Sequence, residues 1–391
     1  MSTNSDAFDA WIRSSFIELN TALEEIYFAQ ENRADVEPLG GDIKAQIQND
    51  GHTFITKLVN EGNTDEGFEN AFNLLGNLGL YMAAMRRHEV TNPAREAKSP
   101  LHEASALGLH FGASLGVTPR FATSHLSTHN YAKNGAIKSF TSLADEILFL
   151  KYNTIGIFAF KRAADALKRI VHLGVSNPVS VSLFKNAAEA LRDVKAANAK
   201  LFDDLDVDRF FWNVRPYYKP YRVGRQEYRG ANAGDFAGIN EVDLLLGLCR
   251  GNDPYYAQLM VDKMQFLLPN DQASLRDCLR RRPLLDEFLL LADSHGKETW
   301  FQESALAFLD LCNLHGEAAA QHHDQLVDSF ISRPSTALDE KHLSQVTASG
   351  PPLEVLLRSL EILRDMRLAA KRDDAQTSWQ EIGKLKQTLG V

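Results

Sequence analysis

Apolar residues recur at spacings of three and four along most of the chain, as in Phe16, Leu19, Leu23, Ile26 and Tyr27 and again in Leu353, Leu356, Leu357, Leu360 and Leu363. This period puts side chains on one face of an α-helix, so the pattern predicts a succession of amphipathic helices. Strict alternation of apolar and polar residues, the mark of a half-buried strand, is scarce. The 24 glycines and 13 prolines cluster between the helical runs and rarely interrupt them, as helix ends require. The predicted fold class is all-α. No internal repeat or low-complexity tract is present, which favours compact packing over a helical solenoid.

Breaks in the pattern mark the expected organisation. Thr91 to Glu96 is polar and holds Pro93, Pro100 closes the stretch, and Gly116-Val117-Thr118-Pro119 comes next. A smaller N-terminal helical domain is expected at 1–117 and a larger helical domain at 118–391. Ser349-Gly350-Pro351-Pro352 ends an irregular segment after Ile331 and opens the last long helix but one. Irregular segments of such length are often functional.

Composition narrows the function classes. With 391 residues, 44% hydrophobic and 24% charged, the chain is neither disordered nor collagen-like. Its 42 basic and 51 acidic side chains give a net charge of -9, so nucleic acid and anionic membrane are not expected partners. Any bound anion must meet a local basic patch. The three cysteines, Cys249, Cys278 and Cys312, have no CxxC spacing, which argues against a disulfide framework or a thiolate zinc site and fits a reducing cytosol. Met1 to Phe16 carries Asp6 and Asp9 and lacks the apolar core of a signal peptide, and no apolar run reaches about 18 residues. A cytoplasmic, non-membrane protein is expected.

One segment departs from the acidic average. Between positions 209 and 229 lie Arg209, Arg215, Lys219, Arg222, Arg225 and Arg229, interleaved with Phe210, Phe211, Trp212, Tyr217, Tyr218, Tyr221 and Tyr228. Cations among aromatic rings suit a flat ligand bearing carboxylates, and also single-stranded nucleic acid. A solvated basic loop with aromatic packing anchors is the plain alternative. Next in the chain stands Gly230-Ala231-Asn232-Ala233-Gly234-Asp235, small residues that let a backbone approach a ligand or a helix start pack tightly. It lacks the spacing and lysine of a phosphate loop.

A helical run from Trp300 to Ile331 holds His315, His322 and His323. On the face of His323 lie Leu326, Val327, Phe330 and Ile331 ahead and Ala320, Ala319 and Gly316 behind. An imidazole on an apolar stripe is often a hydrogen-bonded core residue. Small neighbours on the preceding turns also fit a macrocycle whose metal one imidazole reaches. His125 and His129 have an i, i+4 spacing that suits zinc, but no HExxH and no third ligand accompany them.

Taken in order, these pieces resemble the indoleamine 2,3-dioxygenase superfamily of haem enzymes, most closely its monodechloroaminopyrrolnitrin synthase branch. Phe210-Phe211-Trp212-Asn213-Val214-Arg215 is similar to the family's distal Phe-Phe pair with an arginine four residues on. Tyr228 to Gly234 and Asp243-Leu244-Leu245-Leu246-Gly247 resemble its small-residue loop and the helix after it. His323 with Gln325, Val327, Phe330 and Ile331 resembles the proximal helix, and Ser349-Gly350-Pro351 stands where the family has a flexible loop. The likeness covers roughly residues 100 to 370.

The resemblance implies a haem-binding catalytic domain at 118–391, haem b as cofactor and O2 as co-substrate. It implies an oxidative enzyme acting on tryptophan or a related indole or aromatic amino acid. His323 would ligate the iron, with His322 and His315 as alternates. Arg215 would hold the substrate carboxylate, and Phe210 and Phe211 would press on its ring. Ala231, Asn232, Ala233, Gly234 and Gly350 would border the haem, and Arg222, Arg225 or Arg229 would meet a propionate. Asp235-Phe236-Ala237 replaces the dioxygenases' Gln-Ser-Ser, Ala320 replaces an arginine, and only Gly350 remains of the flexible loop. Lys151-Tyr152-Asn153-Thr154 lies at about the distance before Phe210 where the family carries a distal polar residue. A non-enzymatic haem carrier or gas sensor is the competing function, and an RNA-binding helical protein is a third class.

Overall fold

The computed structural model describes residues 2–62, 67–231, 234–325 and 353–391. These residues gather into two compact units, the first drawn from 2–151 and 204–235, the second from 152–203, 236–325 and 354–391. Residues 118–151 and 204–235 therefore group with the N-terminal part of the chain, so the contacts do not divide it at the 117 expected from its glycine and proline. His125 against Phe72 and Lys138 against Asp9 are two of the contacts that tie them there.

The first unit holds α1 (Thr3–Ile12), α2 (Ser15–Phe28), α3 (Gly41–Glu61), α4 (Phe68–Arg87) and α5 (His102–Leu115). Ser2 caps α1 by accepting the Ser5 N–H, and Gly116 ends α5 in the left-handed conformation. Helix α4 is apolar on nearly all sides from Leu74 to Met85 and is buried accordingly. Its Gly79 passes against the Phe121 backbone, where any Cβ would collide.

α6 (Ala144–Leu173), α7 (Pro178–Asp204) and the one-turn α8 (Val207–Arg209) come next, and then a hairpin of β1 (Tyr221–Val223) and β2 (Gln226–Tyr228). The hairpin is antiparallel, with Tyr221 opposite Tyr228 and Gly224 turning it at φ 60°. It lies in the basic segment whose sequence gives no strand signal.

The second unit contains α9 (Ala237–Leu246), α10 (Pro254–Met264), α11 (Pro269–Arg280), α12 (Leu284–His295), α13 (Thr299–Gln321), α14 (Leu353–Arg367) and α15 (Trp379–Leu389). Pro254 and Pro269 occupy first-turn positions, where a missing N–H costs nothing. Phe184, Phe288, Phe301 and Phe308 pack at its centre. The fold is all-α apart from the short hairpin, as the apolar period predicts. No described helix is long and apolar enough to cross a membrane.

Candidate functional site

In the first unit, Asp206 caps α8 by accepting the Arg209 N–H, and the chain then widens into a π-helical turn over Phe210–Val214 before tightening to a 3-10 turn over Arg215–Tyr218. A π turn re-aims the side chains it carries and often marks a functional place. Asn213 donates to the Glu24 carboxylate at 2.8 Å and to the Glu24 carbonyl at 3.1 Å. Arg87 grips the same carboxylate through two bonds of 2.8 and 2.7 Å and donates to the Trp212 carbonyl at 3.0 Å. A buried ion pair keeps its charges only when further donors complete it, as Asn213 does here. Three groups from α2, α4 and the turn thus fix its path.

Phe210 and Phe211 are buried by this path, Phe210 against Phe149 with ring centroids 5.1 Å apart. The Arg215 guanidinium lies 5.4 Å from the Phe211 ring centroid. Among the described residues it has no carboxylate and no hydrogen-bond acceptor. Loss of hydration alone lowers its pKa to about 10, so it stays charged at neutral pH. A desolvated cation without a counter-ion is costly, and an anionic ligand relieves that cost.

Of the remaining arginines of the segment, Arg209, Arg222 and Arg229 have partners. Arg209 pairs with Glu25 and lies over the Phe28 ring. Arg222 donates to the Arg225 and Pro93 carbonyls and approaches Glu227, which stabilises the hairpin, while Arg225 is exposed at its tip. Arg229 meets Asp235 through two bonds of 2.8 and 2.9 Å, closing the small-residue loop at both ends. That gives Asp235 a structural task where the dioxygenases carry Gln. Ala231 is buried and Gly234 half-buried; Asn232, Ala233 and Gly350 lie outside the described residues.

In the second unit α13 ends at Gln321 and widens into a π turn over 322–325. Gln321 donates to the Lys195 carbonyl at 3.1 Å and accepts from Asn198, which anchors this end to α7. His315 is fully buried, and its Nε2–H donates to Asp243 at 2.6 Å. Arg367 holds both oxygens of Asp243 at 2.8 Å, and the Tyr256 hydroxyl adds a bond of 2.9 Å. Burial alone would raise the Asp243 carboxyl, but the charge and bonds of Arg367 and the bond from His315 outweigh it and keep it ionised. Burial lowers His315 despite that carboxylate, so its ring is neutral, with Nδ1 left bare. His315 is thus a hydrogen-bonded core histidine.

His323 differs. Its Nδ1 lies 3.3 Å from Asp324 Oδ1 and 3.4 Å from Arg364, while its Nε2 has no partner among the described residues. One anchored and one open ring nitrogen is what an iron ligand needs. Ala319 and Ala320 on the preceding turns are half-exposed and add no bulk, so the residues here fit a haem. Gly316 has another cause for its size, since a Cβ there would meet Leu368 and the Arg367 carbonyl. His322 is reached by solvent yet surrounded by protein, which lowers its ring to about 4, and it has no hydrogen-bond partner among the described residues; Leu326, Val327, Phe330 and Ile331 lie outside them.

His125 accepts the Ala122 N–H at Nδ1 and donates from Nε2 to the Phe72 carbonyl, so neither nitrogen is open to zinc. No cluster of three or more metal-ligating side chains occurs among the described residues. Asn153 Nδ2 is buried without a partner among the described residues. Sequence reasoning missed Glu24, Arg87, Arg364 and Arg367. Charges set on apolar helical faces, as Glu24 beside Leu23 and Arg87 after Met85, were the signal available.

A family model described as monodechloroaminopyrrolnitrin synthase PrnB matches residues 2–389, nearly the whole chain. This protein therefore belongs to the monodechloroaminopyrrolnitrin synthase family of oxidative haem enzymes.

Proposed function

We propose that the chain is a haem-dependent enzyme that oxidises tryptophan or a closely related indole or aromatic amino acid, with His323 as the iron ligand. The family membership supports the reaction class, and one observation carries the substrate assignment: Arg215 is an enclosed guanidinium over the Phe211 ring with no acid of the described chain to neutralise it. An amino-acid carboxylate supplies that acid through a bidentate pair. Phe210 and Phe211 then offer apolar surface to the ring and exclude water from it, which positions the ligand for reaction. Haem, when bound, supplies iron for O2 chemistry, which makes O2 the expected co-substrate. Asp324, accepting the Nδ1–H, would orient the His323 ring and leave Nε2 for the iron. Three buried free thiols agree with a reducing compartment such as the cytoplasm.

The test is L-tryptophan binding to haem-loaded protein, followed in the Soret band for wild type and Arg215→Met. Wild type is expected to shift saturably, and the variant to bind haem equally but tryptophan at least tenfold more weakly. Equal tryptophan affinity in both removes the assignment. Haem uptake with no response to any indole amino acid turns the reading to a carrier or sensor.

A further inference from the structure

The turn over Phe210–Val214 has two ways to wind. An α-helical turn would bond the Arg215 N–H to the Phe211 carbonyl, four residues back, whereas here it meets the Phe210 carbonyl, five residues back. One extra residue is wound in, so the direction in which the Arg215 side chain leaves the turn depends on the register taken. The backbone does little to decide between the two, because Pro216 has no N–H to add a bond to either. The π register is the rarer one, so contacts from outside the turn must hold it.

Two such contacts fall on consecutive residues inside the turn. The Asn213 amide donates to the Glu24 carboxylate at 2.8 Å and to the Glu24 carbonyl at 3.1 Å, and Arg87 donates to the Trp212 carbonyl at 3.0 Å. Glu24 is itself fixed by two bonds from Arg87, of 2.8 and 2.7 Å, so Asn213 is tied to a carboxylate that is already held. Asn213 is fully buried, yet its Oδ1 has no partner among the described residues. A sealed amide with an unmet acceptor packs worse than an apolar side chain of its size. What it adds is the pair of bonds made by Nδ2. We propose that Asn213 is a positioning residue, which selects the π register and so aims the Arg215 guanidinium at the amino-acid carboxylate. This rests on the assignment of Arg215 to that carboxylate. Asn213 acts through the turn, keeping Arg215 at its place 5.4 Å from the Phe211 ring centroid, and its effect is a preference for ligands that carry a carboxylate.

The experiment is calorimetry on the haem-loaded full chain with L-tryptophan and with tryptamine, which lacks only the carboxylate. The proteins are wild type, Asn213→Ala, Asn213→Ser, Arg215→Met and the double variant of Asn213→Ala with Arg215→Met. Wild type is expected to prefer tryptophan by about tenfold or more, and Arg215→Met to lose that preference. Asn213→Ala should lose most of it while binding tryptamine as wild type does, and in the Arg215→Met background it should change neither affinity. Asn213→Ser, whose hydroxyl is too short to make both bonds, should behave alike and decides the matter if the alanine variant does not fold. Tryptophan and tryptamine weakened to the same extent mark a merely structural role and refute the proposal. A full preference retained in a folded Asn213 variant refutes it, and so does an equal effect of Asn213→Ala with and without Arg215. A preference that survives Arg215→Met overturns the assignment of the carboxylate to Arg215, and the Asn213 proposal with it.

Discussion

The two units each contain a helix that widens into a π turn, at Phe210–Val214 in the first and at 322–325 in the second, and the two turns are held in opposite ways. The first is buried and gripped at the turn itself, by Glu24 and Arg87 through Asn213 and the Trp212 carbonyl. The second is more open, and its strongest network lies two turns upstream, where Asp243 joins His315, Arg367 and Tyr256. In both, the side chain proposed to meet a ligand is the one left incompletely paired. Arg215 lacks an acid, and the solvent-reached His323 keeps an open nitrogen, while the more deeply buried Arg87 and His315 each hold a carboxylate of the protein, and the bare Nδ1 of His315 is closed off from solvent. Burial does not nominate a functional group; an unmet valence that a ligand can reach does.

Substitutions that cut the networks should separate these classes most widely. Glu24→Ala leaves Arg87 buried without its acid and is expected to lower unfolding free energy by about 3–5 kcal/mol. Arg215→Met, by contrast, removes a charge that nothing neutralises and should leave stability unchanged or raised. Denaturant titration of both decides the point. If Arg215→Met destabilises as Glu24→Ala does, Arg215 has a structural partner and the contrast is void.

The pattern of apolar positions made the all-α fold legible, because a period of 3.6 is written into every amphipathic face. Phe210, Phe211, Arg215 and His323 can be proposed as a group from the sequence because their order along the chain resembles a family. The division into units was not legible. Gly116 and Pro119 mark a real helix end, but beyond them the chain returns to α4, where Gly79 admits the Phe121 backbone, and no local signal announces such a return. The hairpin was hidden by its length of three residues per strand. His315 could be told from His323 only by the Asp243 carboxylate, a contact spanning 72 positions.

A pH series sharpens the comparison within the first unit. Burial, aided by Lys138, lowers His125 from its ordinary 6.5 to about 3, and the geometry agrees, since Nδ1 accepts the Ala122 N–H and can carry no proton of its own. As pH falls below 6.5 the unfolded chain takes up a proton that the folded ring refuses. Stability should therefore fall with decreasing pH, by up to about 1.4 kcal/mol per unit from this ring. His125→Gln should flatten that slope between pH 6 and 4, to about the accuracy of the titration; an unchanged slope excludes this ring as its origin. The smallest effect is expected at the anchor of α13. Gln321→Ala removes the bond to the Lys195 carbonyl and should cost about 0.5–1.5 kcal/mol, with a measurable change in the Soret band if the anchor orients His323.

The most direct test of the central claim is the ferrous spectrum of haem-loaded wild type, His323→Ala, His322→Ala and His315→Ala. The account predicts a histidine-ligated Soret band in wild type and in His322→Ala, its loss in His323→Ala and its recovery when imidazole is added. In His315→Ala the ligation should survive, with stability reduced. A band that survives His323→Ala and vanishes in His315→Ala or His322→Ala would contradict the claim that His323 holds the iron.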